Sequence, residues 1–234
     1  MMKMLRIARA SGSPESYYNS IAGLYDHGKK KNLYYFDNLV SLYRFFIPTG
    51  RNILEIGCGT GDLITKLDAR EALGIDLSAE MIKTAQRKYH NLKKIRFERM
   101  DITSSSELFR TEYIMIVDVL EHVIDVPKFI KQVYIRAPRE ARVIISVANP
   151  IWEPFLMLAE KLRMKIPEGP HKRLTIKKTE EIYGQAGFLI EQKGYRLLVP
   201  KRLPFSDWIN ERFYRSRLMG HLGLVVFWVL VKRT

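Results

Sequence analysis

Apolar and polar positions alternate in a repeating order between Arg51 and Ala148. Short apolar runs predict five buried strands, NILEIG, ALGID, IRFERMD, YIMIVDV and ARVIISVA. Segments whose apolar residues recur every three or four positions predict the helices between them, GDLITKLDA, SAEMIKTAQRKY and VPKFIKQVYIRA. Strands that alternate with helices in this way are typical of a doubly wound α/β sheet with mostly parallel strands.

The rest of the chain extends this sheet and adds helices around it. KKTEEIYGQAGF predicts a helix that begins near Thr179 and ends at Gly187, and FLIEQKGYRLLV and GLVVFWVLVKR predict strands six and seven. The last run is strongly apolar but is only about as long as a strand. We therefore expect a single domain over residues 1–234, with helices in 14–46, the alternating core in 50–147, and helical insertions at 148–174 and 200–220.

The composition is that of a globular protein in a reducing compartment. With 47% hydrophobic residues among 234, the chain can bury a sizeable core, and its single cysteine, Cys58, excludes an internal disulfide framework. The basic start MMKMLRIARASGSPES lacks the apolar region of a secretory signal. No stretch has the ~20 apolar residues of a membrane span. These features lead us to expect a cytoplasmic location.

The net charge of +14 is unevenly distributed. Residues 1–150 hold 23 Lys and Arg against 17 Asp and Glu, whereas the shorter segment 151–234 holds 16 against 8. A basic excess of this size favours an anionic partner, either nucleic acid or a membrane surface. The C-terminal third is where we expect such a contact.

A glycine-rich loop follows the first predicted strand in ILEIGCGTGDL. Gly57, Gly59 and Gly61 would let the backbone approach a ligand closely at the mouth of a helix. A dinucleotide site would require its third glycine at the position of Asp62, and the Gly-Lys-Ser/Thr of a phosphate-binding P-loop is absent. Glu55, inside the strand, would repel a pyrophosphate and suits a cationic ligand.

This loop resembles the E/D-x-G-x-G-x-G loop of the class I S-adenosylmethionine-dependent methyltransferases, and the likeness continues in register over about residues 50–147. It implies a Rossmann-like methyltransferase fold and S-adenosylmethionine as the cofactor. An acidic residue ends each of three further strands, Asp76, Asp101 and Asp118. Ligands bind at the carboxyl ends of strands in such sheets, so the pattern as a whole favours a cofactor site over incidental glycines and aspartates.

The resemblance also implies what each residue contacts. Asp76 would hold the ribose hydroxyls, Asp101 would accept from the adenine amino group, and Asp118 would lie beside the methionine part. Cys58 is interpreted as a small residue in a tight loop, since nothing pairs with it to activate a thiol. The full predicted cofactor set is Tyr18, Glu55, Gly57, Cys58, Gly59, Gly61, Asp76, Leu77, Met81, Asp101, Ile102 and Asp118.

The segment IVDVLEHVIDV places Asp118, Glu121 and His122 within one turn after the fourth strand. One interpretation is that LEHV starts a helix and only shapes the pocket. A second makes His122 and Glu121 catalytic, as a base or as groups that orient the acceptor. A third is a metal site, because E-x-x-E-H at this position resembles the magnesium sites of ubiquinone-pathway and small-RNA 2′-O-methyltransferases. We expect no metal, because the shorter Asp118 lies where the cofactor should be.

The two insertions are expected to form the acceptor side. One apolar stripe recurs at helical spacing, Trp152, Phe155, Leu156, Ala159 and Leu162. A second segment sets aromatic and apolar residues beside arginines, namely Phe205, Trp208, Ile209 and Phe213 with Arg202, Arg212, Arg215 and Arg217. Such a segment fits anionic lipid head groups, ordinary packing on the sheet, or a single-stranded nucleic acid.

The sequence therefore predicts O-methylation of a small-molecule or lipid-linked acceptor. The segment NPIWEPFLMLAEKLRMKIPEGPH resembles insertions in type-11-like methyltransferases of glycolipid and glycan assembly, which favours a hydrophobic or lipid-linked acceptor. The aromatic and arginine residues of the second segment favour an anionic membrane surface as a partner. Nucleic acid N-methylation is disfavoured because no N/D-P-P-Y/F sequence follows the fourth strand. The alternatives are a magnesium-assisted RNA 2′-O-methyltransferase and a non-catalytic cofactor-binding subunit.

Overall fold

The computed structural model of the chain describes residues 13–105, 108–162, 173–213 and 220–233. Seven strands form one sheet in the order β3-β2-β1-β4-β5-β7-β6. Neighbouring strands are parallel except for β7, which runs antiparallel to both β5 and β6. The strands are β1 Asn52–Ile56, β2 Glu71–Asp76, β3 Ile95–Arg99, β4 Tyr113–Val117, β5 Arg142–Ala148, β6 Phe188–Arg196 and β7 Val225–Lys232. The predicted seven-stranded, mostly parallel α/β sheet is confirmed.

Helices cover both faces of this sheet. Within the described residues the α-helices are α1 Pro14–Lys29, α2 Leu33–Phe46, α3 Ala79–Lys88, α4 Val126–Arg136, α5 Glu153–Lys161, α6 Ile176–Ala186 and α7 Ser206–Phe213. Single 3-10 turns lie at Lys30–Asn32, Ile64–Lys66, Leu120–His122, Pro150–Trp152 and Gly220–Leu222. None of the helices in the described part of the chain is long and apolar enough to cross a membrane.

Burial on both faces explains why the strands read as continuous apolar runs. In β1, Leu54 belongs to a core that includes Ile130 of α4 and Tyr183 of α6. Its neighbour Ile53 belongs to the opposite core, which includes Leu42 of α2. Successive side chains of a strand point to opposite faces, so a strand covered on both sides is apolar at most positions, and Glu55 is the exception among the buried residues of β1.

Two local predictions are wrong. GDLITKLDA was predicted as a helix but forms only the 3-10 turn Ile64–Lys66. The Gly50 amide donates to the Asp68 carbonyl and the Arg70 amide to the Arg51 carbonyl, so the end of this segment is paired with the residues before β1 and leads directly into β2. Helix α6 is capped by Thr175, whose hydroxyl accepts from the Lys178 amide, and not by Thr179. The predicted stop at Gly187 is confirmed, since that residue ends α6 with a left-handed φ of 108°.

Helix α1 lies over the carboxyl ends of β1 and β2. Its Asn19 side-chain oxygen accepts from the Ser78 hydroxyl at 2.7 Å, at the start of α3. Its Asp26 accepts from the Thr60 hydroxyl at 2.6 Å, in the loop after β1. These contacts place the first helix of segment 14–46 across the edge of the sheet where the acidic strand ends converge.

Candidate functional site

A cavity of about 670 Å³ opens at the carboxyl ends of β1, β2 and β4. This volume is typical of a small-molecule site, and the carboxyl edge is where parallel sheets bind ligands. Gly61 does not line the cavity. The other predicted cofactor residues do, namely Tyr18, Glu55, Gly57, Cys58, Gly59, Asp76, Leu77, Met81, Asp101, Ile102 and Asp118.

The loop after β1 turns at three glycines. Gly57, Gly59 and Gly61 have φ angles of 77°, 53° and 80°, which strain any residue with a side chain. A Cβ at Gly57 would lie 2.3 Å from a methyl group of Val119, and one at Gly61 would lie 2.6 Å from the Phe97 ring. Gly57 therefore lets the loop approach the segment after β4. Gly61 lies behind the cavity and lets the loop pack against β3.

Asp76 ends β2 with one carboxylate oxygen bound to the glycine loop and the other to the start of α3. Oδ2 accepts from the Gly59 amide and Oδ1 from the Ser78 amide, each at 2.8 Å. Burial raises the pKa of Asp76, although these two amide hydrogen bonds oppose the rise. Each oxygen keeps a second lone pair, so the carboxylate can still accept from a cis-diol. The arrangement fits the predicted contact with ribose.

Glu55 and Cys58 are buried and protonated beside the loop. The Oε2 atom of Glu55 accepts from the Ile64 amide at 3.1 Å, and burial raises the pKa of this carboxyl to about 8. The side chain is thus neutral near pH 7, whereas the sequence suggested a charged carboxylate. A cationic ligand would favour its ionised form. Burial also raises the pKa of the Cys58 thiol well above its usual value, which agrees with its interpretation as a small loop residue.

The far side of the cavity combines apolar surface with one carboxylate. Met81 and Ile102 are buried cavity-lining residues, and the more exposed Leu77 also lines the cavity. Asp101 Oδ1 accepts from the amide and the hydroxyl of Thr103, both at 2.8 Å. Burial would raise the pKa of Asp101, but the Thr103 hydrogen bonds outweigh it and lower the pKa. A charged acceptor next to apolar walls fits a purine ring with an exocyclic amino group.

Asp118 and His122 face the cavity from the segment after β4. Asp118 has a φ of 52°, unusual for a residue with a side chain, and its Oδ2 accepts from the Tyr35 hydroxyl at 2.8 Å. The Tyr18 hydroxyl lies 2.9 Å from His122 Nε2. Leu120–His122 forms a 3-10 turn rather than the start of a long helix. Helix α1 and the β4 end therefore meet through a tyrosine–histidine pair.

A second cavity of about 390 Å³ adjoins the first. Its apolar walls come largely from the predicted stripe of the first insertion, Trp152, Phe155, Leu156 and Ala159. The residues that line both cavities are Tyr18, Tyr25, Asn32, Tyr35, Asp118 and His122. Since the same six residues border both spaces, the cavities communicate at the end of β4.

Glu121 lines the second cavity and not the first. Its Oε1 accepts from the Ala148 amide at 3.0 Å, whereas its buried Oε2 has no hydrogen-bond partner among the described residues. Burial, reinforced by the charge of Asp118, raises the pKa of Glu121 to about 8. The residue therefore presents a protonated carboxyl to the second cavity near pH 7.

The described part of the chain contains no group of three or more His, Cys, Asp or Glu side chains arranged to hold a metal ion. Asp118, Glu121 and His122 all line the second cavity. His171, in the first insertion, lies outside the described residues.

Comparison with known proteins defines the family. A family model described as a methyltransferase domain matches residues 29–193. The chain belongs to this methyltransferase family. The domain is of the class I, S-adenosylmethionine-dependent type, as the resemblance implied. The first cavity fits that cofactor. Its carboxylates can accept hydrogen bonds from the ribose diol and the purine amino group, its apolar walls suit the purine ring, and its glycines let the backbone approach the ligand closely.

A curated relative of the chain agrees with this family. The methyltransferase is 30% identical over 133 residues to the ubiquinone biosynthesis O-methyltransferase of Rhodopseudomonas palustris strain BisB5. The match covers 53% of this chain and 51% of that protein, so the chain spans about half the length of this relative.

The solved structures share the fold at low sequence identity. A chain of the Haloferax volcanii complex between the Trm112 methyltransferase activator and a methyltransferase has a TM-score of 0.70 at 15% identity, covering 93% of this chain and 98% of that one. The magnesium protoporphyrin IX methyltransferase of Synechocystis, solved with bound SAH, has a TM-score of 0.57 at 18% identity, covering 99% and 94%.

Some cavity residues were not predicted from the sequence. Lys29, which is not in the predicted cofactor set, lines the first cavity and donates to Asp62 at 3.0 Å. Asp62, at the position of a third glycine, was the sequence signal for such a lysine, because a carboxylate in the loop requires a cation nearby. Tyr35 binds Asp118 while its neighbour Tyr34 binds Asp207, and nothing in the sequence distinguishes the two tyrosines.

Proposed function

We propose that the methyltransferase methylates an oxygen atom of an apolar small-molecule or lipid-linked acceptor bound in the second cavity. The observation that carries this proposal is the hydrogen-bonded pair of Tyr18 and His122 at the junction of the two cavities. Transfer from a sulfonium is an in-line displacement, so the acceptor oxygen must lie beside the cofactor methyl group. Residues that border both cavities are placed to contact both reactants.

His122 is the proposed base that removes the proton of the acceptor hydroxyl, and Tyr18 is the positioning residue that orients its ring. S-adenosylmethionine supplies the electrophilic methyl group when bound. Glu121 is proposed to donate a hydrogen bond to the acceptor from its protonated carboxyl, since its Oε2 is buried in the second cavity. Asp118 is held on the cofactor side by Tyr35.

The walls of the second cavity support an apolar acceptor. Trp152, Phe155, Leu156 and Ala159 form one side, and Arg173 and Lys201 add cationic groups. The similarity to ubiquinone biosynthesis O-methyltransferases supports oxygen as the acceptor atom. We further propose that the outer faces of α5 and α7, which carry exposed apolar side chains beside basic ones, contact anionic membranes rather than nucleic acid.

The test uses methyl-labelled S-adenosylmethionine and a matched pair of probes, a prenylated phenol and the corresponding prenylated aniline. We expect the phenol to be methylated by the wild type. His122→Asn should lower kcat by about 10²–10⁴-fold, the range for a general base, and should remove the acidic limb of the pH–rate profile. SAH affinity, measured by calorimetry, should stay within about threefold because His122 acts on the acceptor.

Methylation of the aniline in preference to the phenol would contradict an oxygen acceptor. Turnover of His122→Asn within threefold of the wild type would contradict the proposed base. Activity that survives EDTA separates this mechanism from magnesium-assisted transfer. SAH binding without turnover of either probe or of RNA would favour the alternative of a non-catalytic cofactor-binding subunit.

A further inference from the structure

The cofactor brings a carboxylate to the first cavity. S-adenosylmethionine carries this group on its methionine part, and an enclosed carboxylate requires a cation or several donors. Two lysines are among the described residues that line the cavity, Lys29 and Lys128. Lys128 lies at the start of α4, where its charge helps to lower the pKa of Asp101 on the purine side. Lys29 approaches from the last turn of α1, beside the glycine loop.

The ammonium group of Lys29 is held in place by its surroundings. Its Nζ donates to Asp62 Oδ2 at 3.0 Å and lies over the rings of Tyr25, at 4.7 Å, and Phe36, at 5.8 Å. The Lys29 side chain is only 26% exposed. An ammonium group has three donors, so the bond to Asp62 leaves two for a ligand in the cavity.

Asp62 does not depend on Lys29 alone for charge compensation. Lys88 Nζ lies 2.5 Å from Asp62 Oδ1 and 2.6 Å from Asp26 Oδ2, and the Tyr89 hydroxyl donates to Asp62 Oδ1 at 2.6 Å. Two lysines thus face two aspartates in one network. Because the positive and negative charges of this network already compensate each other, the remaining N–H donors of Lys29 are available to a carboxylate that enters the cavity.

We propose that Lys29 binds the carboxylate of the methionine part of S-adenosylmethionine, with Asp62 as the residue that positions it. This gives a reason for an aspartate where a dinucleotide-binding loop has its third glycine. Burial by itself would lower the pKa of Lys29, but Tyr25 and Asp62 raise it further, which keeps the group cationic. The proposal rests on the family's cofactor and on the placement of its purine beside Asp101.

The experiment compares two ligands on three full-length proteins by calorimetry. SAH carries the carboxylate, and 5′-methylthioadenosine lacks the whole amino-acid part. Lys29→Met should weaken SAH binding by about 10–100-fold, as expected for a charge-assisted hydrogen bond, and leave 5′-methylthioadenosine within about twofold. Lys88→Met is the matched control, because it removes the other lysine on Asp62 but does not line the cavity. It should shift the affinities for SAH and 5′-methylthioadenosine by the same factor, because Lys88 does not line the cavity.

Equal weakening of both ligands in Lys29→Met would overturn the proposal, since it would show that Lys29 only supports the loop. Equal losses in Lys29→Met and Lys88→Met would also overturn it. Lys29→Arg should retain most of the SAH affinity. If Lys29→Met does not fold, the wild type should bind the methyl ester of SAH at least tenfold more weakly than SAH, and equal binding would overturn the proposal. No binding of SAH by the wild type would instead contradict the cofactor site itself.

Discussion

Glu55 and Glu121 are buried carboxyls on different sides of the transfer site, Glu55 by the cofactor cavity and Glu121 by the second cavity. Burial raises the pKa of each to about 8. Both are therefore protonated near pH 7, and each can respond to its own ligand. A cationic cofactor favours ionisation of Glu55, whereas a neutral acceptor hydroxyl suits the protonated Glu121 as a donor.

Because Glu55 is neutral in the folded protein near pH 7, the free energy of unfolding should depend on pH through this residue. Its pKa is near 8 in the folded protein and close to 4.5 when unfolded, so the folded state binds the extra proton between these values. Stability contributed by this group is full below about pH 4.5 and is lost as the pH rises through 8. We expect Glu55→Gln to match the wild type at pH 5 and to exceed its free energy of unfolding at pH 9 by roughly 2–4 kcal/mol.

Urea denaturation of the ligand-free protein, followed by circular dichroism at both pH values, measures this difference. Glu71→Gln is the control, because Glu71 is exposed at the start of β2 and its removal should leave the pH dependence unchanged. A pH dependence of Glu55→Gln identical to that of the wild type would show that Glu55 ionises normally in the fold.

Helix α1 is held over the site mainly by polar contacts. Its Lys29 and Asp26 join Asp62 and Lys88 in one charged network, and its Asn19 binds the start of α3. Only a few of its side chains, such as Tyr17 and Ile21, are fully buried. An element with this balance opens at lower cost than the sheet beneath it. Tyr18 and Tyr25 border the first cavity from this helix, so opening of α1 would widen the cavity.

Asp62 should therefore control how firmly α1 is held. Removing it in Asp62→Ala leaves the partly buried Lys29 without its carboxylate, which should cost about 2–4 kcal/mol at pH 7. Contacts with Lys29, Lys88 and Tyr89 outweigh burial and lower the pKa of Asp62. Its stabilising contribution is thus present above the unfolded value of about 4 and is lost as the pH falls below it. The gap between variant and wild type should narrow at pH 3.

Urea denaturation at pH 7 and pH 3 tests this dependence, and limited proteolysis of α1 reports the helix itself. Asp37→Ala, on the exposed face of α2, removes the same charge and should cost less than about 0.5 kcal/mol. A cost for Asp62→Ala that is equally small at pH 7 would mean that the network contributes nothing to stability.

The sequence predicted the elements whose pattern is set by burial. The strands were found because β1, β4 and β5 are covered on both faces and are mostly apolar. The false helix at GDLITKLDA had the right period, but chain connectivity between β1 and β2 left room only for a turn. Most of the residues predicted for the cofactor line the first cavity because they follow strands in order. Lys29 and Tyr35 were missed because helix α1 and helix α2 reach the site only through tertiary packing.

Two basic residues of segment 151–234, Arg173 and Lys201, line the second cavity. Segment 148–162 supplies its apolar side, and Pro200 and Lys201 supply another part of the wall. Helix α7 is anchored to α2, since Tyr34 donates to Asp207 and accepts from the Asn210 side chain, each at 2.8 Å. Arg215 and Arg217 lie outside the described residues. The described part of this surface is thus fixed to the body of the protein and borders the proposed acceptor site.

Exposed aromatic side chains on this surface lead to a prediction for the whole molecule. Phe205 is 78% and Trp208 60% exposed, beside Lys201 and Arg202. Apolar groups flanked by cations bind the interface of anionic bilayers, with affinity that falls as salt rises. We expect the wild type to sediment with phosphatidylglycerol-containing vesicles at low salt and to release at high salt. The double variant Phe205→Ser and Trp208→Ser should bind at least tenfold more weakly.

Ile135→Ser is the matched control, because Ile135 is 51% exposed on α4 and carries no role in the proposed contact. It should bind vesicles like the wild type. Equal binding by the double variant would mean that charge alone holds the protein on the vesicles. Salt-sensitive binding of RNA that is tighter than binding to vesicles would indicate that the basic surface binds a nucleic acid instead. The distinction matters for catalysis, because a surface that binds lipid places the mouth of the second cavity where an apolar acceptor is concentrated.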